Sequence, residues 1–129
     1  TVVFVAVLLT GCAAEKPSTI GIVDMQKVMT ENPKIKQMQE QLNAKAKELT
    51  ENLEKERATL KPEEFQQKEQ AAYAEFMKMK QEFEAQIETQ TKKVLEEVAK
   101  EKKLGAVIYK NGMAWGGVDV TEEVLKKLQ

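Results

Sequence analysis

The sequence predicts an α+β fold in which a long antiparallel helical hairpin is inserted into a small β-body. Three observations predict it. Short stretches rich in β-branched residues, Thr19–Met25 and Leu104–Lys110, stand at opposite ends of the chain. Between them, residues 26–103 are dominated by Lys, Glu, Gln, Ala and Met with apolar residues at helical spacing, the composition of long helices or coiled coil. Leu60-Lys-Pro-Glu-Glu interrupts that run near its middle, where the chain has to turn if two narrow apolar stripes are to bury each other.

The segment before the first strand has another character. Val2 to Leu9 are apolar throughout, far short of the roughly 20 residues that span a bilayer but long enough for the hydrophobic region of a leader. The chain opens at Thr1 without the charged start of such a leader, so residues 1–11 are expected to be a truncated signal peptide. Leu9-Thr10-Gly11-Cys12 looks like a lipobox, in which the single cysteine is lipidated and becomes the first residue of the mature protein. A plain secretory leader with an incidental cysteine, or a buried strand, are the alternatives. Residues 12–18, polar and turn-like, then serve as a tether. Ala13 lacks the aspartate that retains some lipoproteins at the inner membrane, so sorting leans to the outer one.

Each element of the fold has its own signal. Thr19–Met25 reads as a strand. Asn32-Pro33 marks a break or a helix start, because the residue before proline is pushed from the α region. From Lys34 the stripe Ile35, Met38, Leu42, Ala46, Leu49, Leu53 and Leu60 recurs at three, four or seven, the seam of a coiled coil or of an antiparallel pair. Pro62 suits the first turn of a second helix, with Glu63 and Glu64 at the positive end of its dipole, which places the tip of a hairpin near residues 60–65; a kink in one continuous helix is the alternative. The second stripe is Phe65, Ala72, Phe76, Met79, Phe83, Ile87, Val94 and Val98. Leu104–Lys110 then predicts a strand, Asn111-Gly112 a two-residue hairpin turn, and Met113–Val118 an antiparallel partner strand. Glu122–Leu128 predicts a final helix, capped by Asp119 or Thr121.

Residues 19–25 and 104–129 thus form one body drawn from both ends of the chain. Its bulky groups are Val23, Val107, Ile108, Trp115, Val124, Leu125 and Leu128. Three short strands leave two open edges and little apolar surface, which makes oligomerisation a physical expectation. Closing several copies into a β-barrel would remove the edges and enlarge the core.

Composition also excludes. There is no histidine, so the commonest general base and metal ligand is missing, and the lone cysteine can form no internal disulfide. No enzyme, metal or cofactor is expected. The net charge of −1 offers no reason to invoke nucleic acid. Lys92-Lys93 and Lys102-Lys103 read as solvated faces neutralised by Glu96, Glu97 and Glu101. Asp24 and Asp119 read as strand-end and cap residues rather than a catalytic pair. Gly116-Gly117 is too short to cradle a phosphate and suits a bulge or close strand contact.

The order of these elements resembles the Skp/OmpH family of envelope chaperones. The likeness rests on TIGIVDM, the Lys/Glu/Gln-rich hairpin with its Leu-x-Pro-Glu-Glu tip, LGAVIYK and the ending DVTEEVLKKL, and it covers nearly all of Thr19–Gln129. It implies a homo-oligomer, a trimer, with a β-barrel body and three helical tentacles around a cavity. It further implies a periplasmic, ATP-independent holdase whose partners are unfolded outer-membrane proteins. Two features depart from the pattern. Between Lys34 and Leu104 fifteen basic and fifteen acidic residues balance, unlike the strongly basic tentacles of the best-studied members. The expected lipid anchor on Cys12 would also tether this chain to a membrane.

A holdase needs adaptable apolar surface. Phe76, Met77, Met79 and Phe83, with Tyr73 a turn earlier, form the densest apolar and sulfur-rich patch on the hairpin, and methionine suits surfaces that accept many shapes. Phe76, Met79 and Phe83 double as seam residues against Leu42, Leu49 or Leu53. Tyr73 and Met77 leave the stripe and are the better candidates for client contact. The alternative reading is a lipid-anchored coiled-coil scaffold of the envelope without client-binding activity.

Overall fold

The computed structural model describes residues Thr19–Gln129. The order is β1 (Thr19–Val23), α1 (Met25–Glu31), α2 (Pro33–Arg57), α3 (Pro62–Glu101), β2 (Leu104–Tyr109), a 3-10 turn (Lys110–Gly112), β3 (Val118–Asp119) and α4 (Thr121–Lys127). The chain is mostly helical around one small sheet, an α+β arrangement. Cys12 and the apolar run before it lie outside the described residues.

Local chemistry sets the helix boundaries. The Asp24 carboxylate accepts the Lys27 N–H at 3.0 Å and so caps α1. Asn32 repeats the device, accepting the Ile35 N–H at 3.0 Å, with Pro33 in the first position of α2. The chain therefore bends at Asn32 while the Ile35 N–H keeps a partner. At the hairpin tip Pro62 opens α3, and Glu64 accepts the Lys61 N–H at 3.4 Å. The last helix places Glu122 and Glu123 in its first turn and Lys126 and Lys127 in its last, both favourable to its dipole.

The 40-residue α3 spans about 60 Å at 1.5 Å per residue, far more than the body needs. Its C-terminal part enters the core while the rest projects with α2. The two run antiparallel, since Lys68 meets Glu56 near the tip and Lys45 meets Glu75 midway.

The sheet corrects one expectation. Met113–Val118 is not the antiparallel partner of β2. The order is β2-β1-β3, with β1 in the centre and parallel to both neighbours. Lys110–Gly112 forms a 3-10 turn instead of a hairpin turn. Gly116 and Gly117, both with φ near +90°, then bring the chain across to the far side of β1. A Cβ on Gly117 would stand 2.6 Å from the Ile22 side chain, so this crossing hugs the strand and only glycine fits it.

One face of the sheet carries the core. Val23, Val28, Ile35, Val94, Val98, Val120, Val124, Leu125 and Leu128 are buried together, joining β1 to α1, the end of α3 and α4. Most are valines, so the core is small-grained and confined to the base of the molecule.

Candidate functional site: the hairpin surface and the base groove

From Lys36 to Gln90 no side chain is fully buried. The hairpin arms are held by their half-buried stripes and by ion pairs across the seam. Lys45 is the best anchored of these cations, 2.9 Å from Glu75 and 3.2 Å from Glu48. These two carboxylates, Glu75 first, raise its pKa above the ordinary lysine value. Phe76, Met77, Met79 and Phe83 are all half-buried, each presenting part of its apolar surface to solvent. Tyr73 is 68% exposed. Sequence reasoning set Tyr73 and Met77 apart from the stripe; the structure separates only Tyr73, and Met77 shares the partial burial of the seam residues.

The seven residues assigned to the body fall into two groups. Val23, Val124, Leu125 and Leu128 are buried in the core, and Val107 packs against it. Ile108 lies on the opposite face, because side chains alternate along a strand and its partner in register is Ile22. Trp115 is 92% exposed and belongs to no core of the single chain, since the two glycines after it hold the crossing loop against Ile22 and leave the indole outside. Among the described residues, no helix lies over the face shared by Ile20, Ile22, Ala106 and Ile108. Ile20 and Ile22 were not singled out from the sequence, although the alternation in Thr19–Val23 carried the signal.

At the C-terminal ends of the three parallel strands sits a polar cluster. Lys110 contacts the Asp24 carboxylate at 3.0 Å, and Asp119 accepts the Thr121 N–H at 2.9 Å. Both aspartates are held below their ordinary pKa, Asp24 chiefly by the Lys27 N–H and Asp119 chiefly by Thr121. All these oxygens serve caps and ion pairs, and among the described residues no group of His, Cys, Asp and Glu could hold a metal.

At the base of the hairpin lies a groove of about 550 Å³. Met25 and Met29 of α1 form one wall and Val107 and Tyr109 of β2 another. The third is the α3 stripe Ile87, Thr91, Leu95 and Ala99. Sequence reasoning missed it because no separate short helix was read ahead of Asn32-Pro33. Behind the groove, Asn32 Nδ2 and Thr91 Oγ1 are buried with no hydrogen-bond partner among the described residues, and both residues line a void of about 10 Å³.

A family model described as outer membrane protein (OmpH-like) matches residues 58–128. That span takes in the hairpin tip and all of α3, β2, β3 and α4. No curated protein matches the chain. With more than half of its length matched, and with the long α3 joined to β2, β3 and α4 in that order, the chain belongs to the OmpH-like family.

Proposed function

We propose that this protein is an ATP-independent holdase chaperone that binds unfolded outer-membrane proteins in the periplasm, assembles as a trimer, and is tethered to a membrane through a lipidated Cys12. The observation that carries the chaperone reading is the absence of any fully buried side chain from Lys36 to Gln90. A hairpin built only for rigidity would bury its stripe. This one keeps phenylalanines and methionines within reach of a partner, which suits weak, numerous contacts with an unfolded chain. Membership of the family agrees with that use.

The uncovered sheet face supports assembly. Among the described residues, Ile20, Ile22, Ala106 and Ile108 lie beneath no second layer, and Trp115 and Val118 are exposed. A face of this kind on a three-stranded sheet is stabilised by burial against copies of itself, and closure of a ring would also pair the free edges of β2 and β3.

The deciding experiment is light scattering of an unfolded outer-membrane protein diluted from denaturant, with and without the purified soluble domain. Suppression of aggregation at stoichiometric trimer is expected, reduced when Tyr73 and Met77 are both replaced by serine. No suppression by the unaltered protein would favour the scaffold reading. Mass spectrometry of the mature N-terminus tests the anchor, which an unmodified Cys12 would remove.

A further inference from the structure

We propose that the base groove is a second polypeptide-binding site, one that selects an extended apolar segment flanked by lysine or arginine; the inference rests on the holdase reading and names a sequence preference for it. The floor and walls are apolar, and two methionines on the seven-residue α1 give one wall that can reshape around different side chains. The rim has a definite sign. Among the described residues, Glu84, Glu88 and Glu96 line it against a single cation, Lys92. Glu84 is partly neutralised by Lys80 at 3.7 Å, whereas Glu88 and Glu96 have no ion pair among the described residues. A cationic flank is what such a rim attracts, in contrast to the balanced charge of the hairpin as a whole.

The groove's length fits a short segment. Along α3 it runs from Glu84 to Ala99, about 22 Å at 1.5 Å per residue, which an extended chain covers with about seven residues. A second copy of this protein is the less suitable occupant. Val107 and Tyr109, which line the groove, point to the opposite side of the sheet from Ile108 and Ile22, so assembly through the uncovered face leaves the groove open.

The test uses two labelled synthetic peptides with the same core of alternating leucine and phenylalanine, one ending in lysine pairs and one in glutamate pairs. Fluorescence anisotropy with the soluble protein should show the lysine-flanked peptide binding about tenfold more tightly, with the difference shrinking as salt rises. The double variant Glu88→Lys/Glu96→Lys, altered only at exposed positions, should abolish or invert that preference. Met29→Asp, on the partly exposed wall, should weaken both peptides. Equal affinity for the two peptides, no binding of either, or unchanged binding by both variants would overturn the proposal. So would a change in oligomer mass on Met29→Asp with peptide affinity intact, since a second copy would then occupy the groove. Light scattering on the same variants separates the two readings. If the unaltered protein protects its client and the groove variants protect equally, only the groove proposal falls.

Discussion

The backbone N–H of Asp24 donates to Thr121 Oγ1 at 2.9 Å across 97 positions of sequence. This bond ties the end of the first strand to the start of the last helix, and Thr121 is buried where it does so. Asp24 in turn caps α1 and holds Lys110, so one polar junction joins the ends of β1 and β2 and the beginnings of α1 and α4. Thr121→Val should therefore destabilise the body by about 1–2 kcal/mol, the cost of a partly buried donor left unpaired. Thr121→Ser should retain most of the stability. Urea denaturation followed by circular dichroism measures both, and equal losses would show that the methyl contact, not the hydroxyl, matters.

The charged groups of the body set its pH range. Asp24, Asp119 and Glu123 are all held below their ordinary values, Glu123 chiefly by its contact with Lys102. A depressed carboxylate contributes stability that is fully present above its unfolded value, 3.8 for aspartate and 4.5 for glutamate. That contribution is lost as pH falls through the lower folded value. Lys27, Lys45 and Lys127 are raised above 10.5 by Glu122, Glu75 and Glu101 respectively. Their contributions are present below that value and fade as pH rises through the higher folded one. A stability plateau between about pH 5 and pH 10 follows. Lys102→Met and Lys110→Met should each shift the acid transition to higher pH, and a pH series of thermal melts measures the shift.

The crossing loop provides a comparison between adjacent glycines. Both Gly116 and Gly117 have φ near +90°, where any side chain costs about 1–3 kcal/mol. Nothing lies within 4 Å of a Cβ on Gly116, whereas one on Gly117 would meet Ile22 and the Ile20 carbonyl oxygen. Gly116→Ala should show the backbone strain alone. Gly117→Ala should lower the melting temperature further, because it lifts the loop from β1 and loosens β3.

Much of the fold was legible because its signals are local. The helix starts at Pro33 and Pro62 and the strand at Leu104 are set by residues within a turn of the boundary. The parallel sheet was not legible from Asn111-Gly112, because a turn dipeptide favours a hairpin only when the flanking strands prefer each other. Here β1 supplies both with a buried central partner, which local propensity does not register. Trp115 lies outside the core of the single chain for a related reason. Bulk argues for burial, but the glycines at 116 and 117 fix the path of the loop before the indole can reach a single chain's core. In the candidate site, the exposed Tyr73 followed from its departure from the stripe. The groove did not, since it depends on the short α1 ending beside a helix that continues.

Asn32 and Thr91 offer a test of buried polarity at the root of the hairpin. Asn32 uses its oxygen to cap α2, and among the described residues neither its Nδ2 nor the Thr91 hydroxyl across the same small void has a partner. A void of about 10 Å³ is at the lower bound for one water. Thr91→Val removes an orphan at nearly constant volume, so stability should hold or rise by up to about 1 kcal/mol. Asn32→Ala should cost about 1–2 kcal/mol through the lost cap and should speed hydrogen exchange in the first turn of α2. A large loss on Thr91→Val would instead identify the hydroxyl as one end of a water bridge to Asn32.

The end of α3 carries a residue whose conformation can be improved. Lys103 has φ of 54°, the left-handed conformation that commonly follows a helix and that glycine adopts without strain. Its N–H donates to the Lys100 carbonyl at 3.2 Å, and the preceding Lys102 N–H reaches the Val98 carbonyl at 3.0 Å. Glycine would keep both bonds. The Lys103 side chain is exposed and makes no ion pair among the described residues, so little is lost with it. Lys103→Gly should therefore raise stability by about 0.5–1 kcal/mol, relieved strain outweighing the greater freedom of glycine in the unfolded chain. Lys103→Val should lower it, because a β-branched side chain fits this conformation worst. Opposite signs for the two substitutions in thermal melts would establish that the backbone angle, rather than the lysine charge, governs where the long helix hands over to β2.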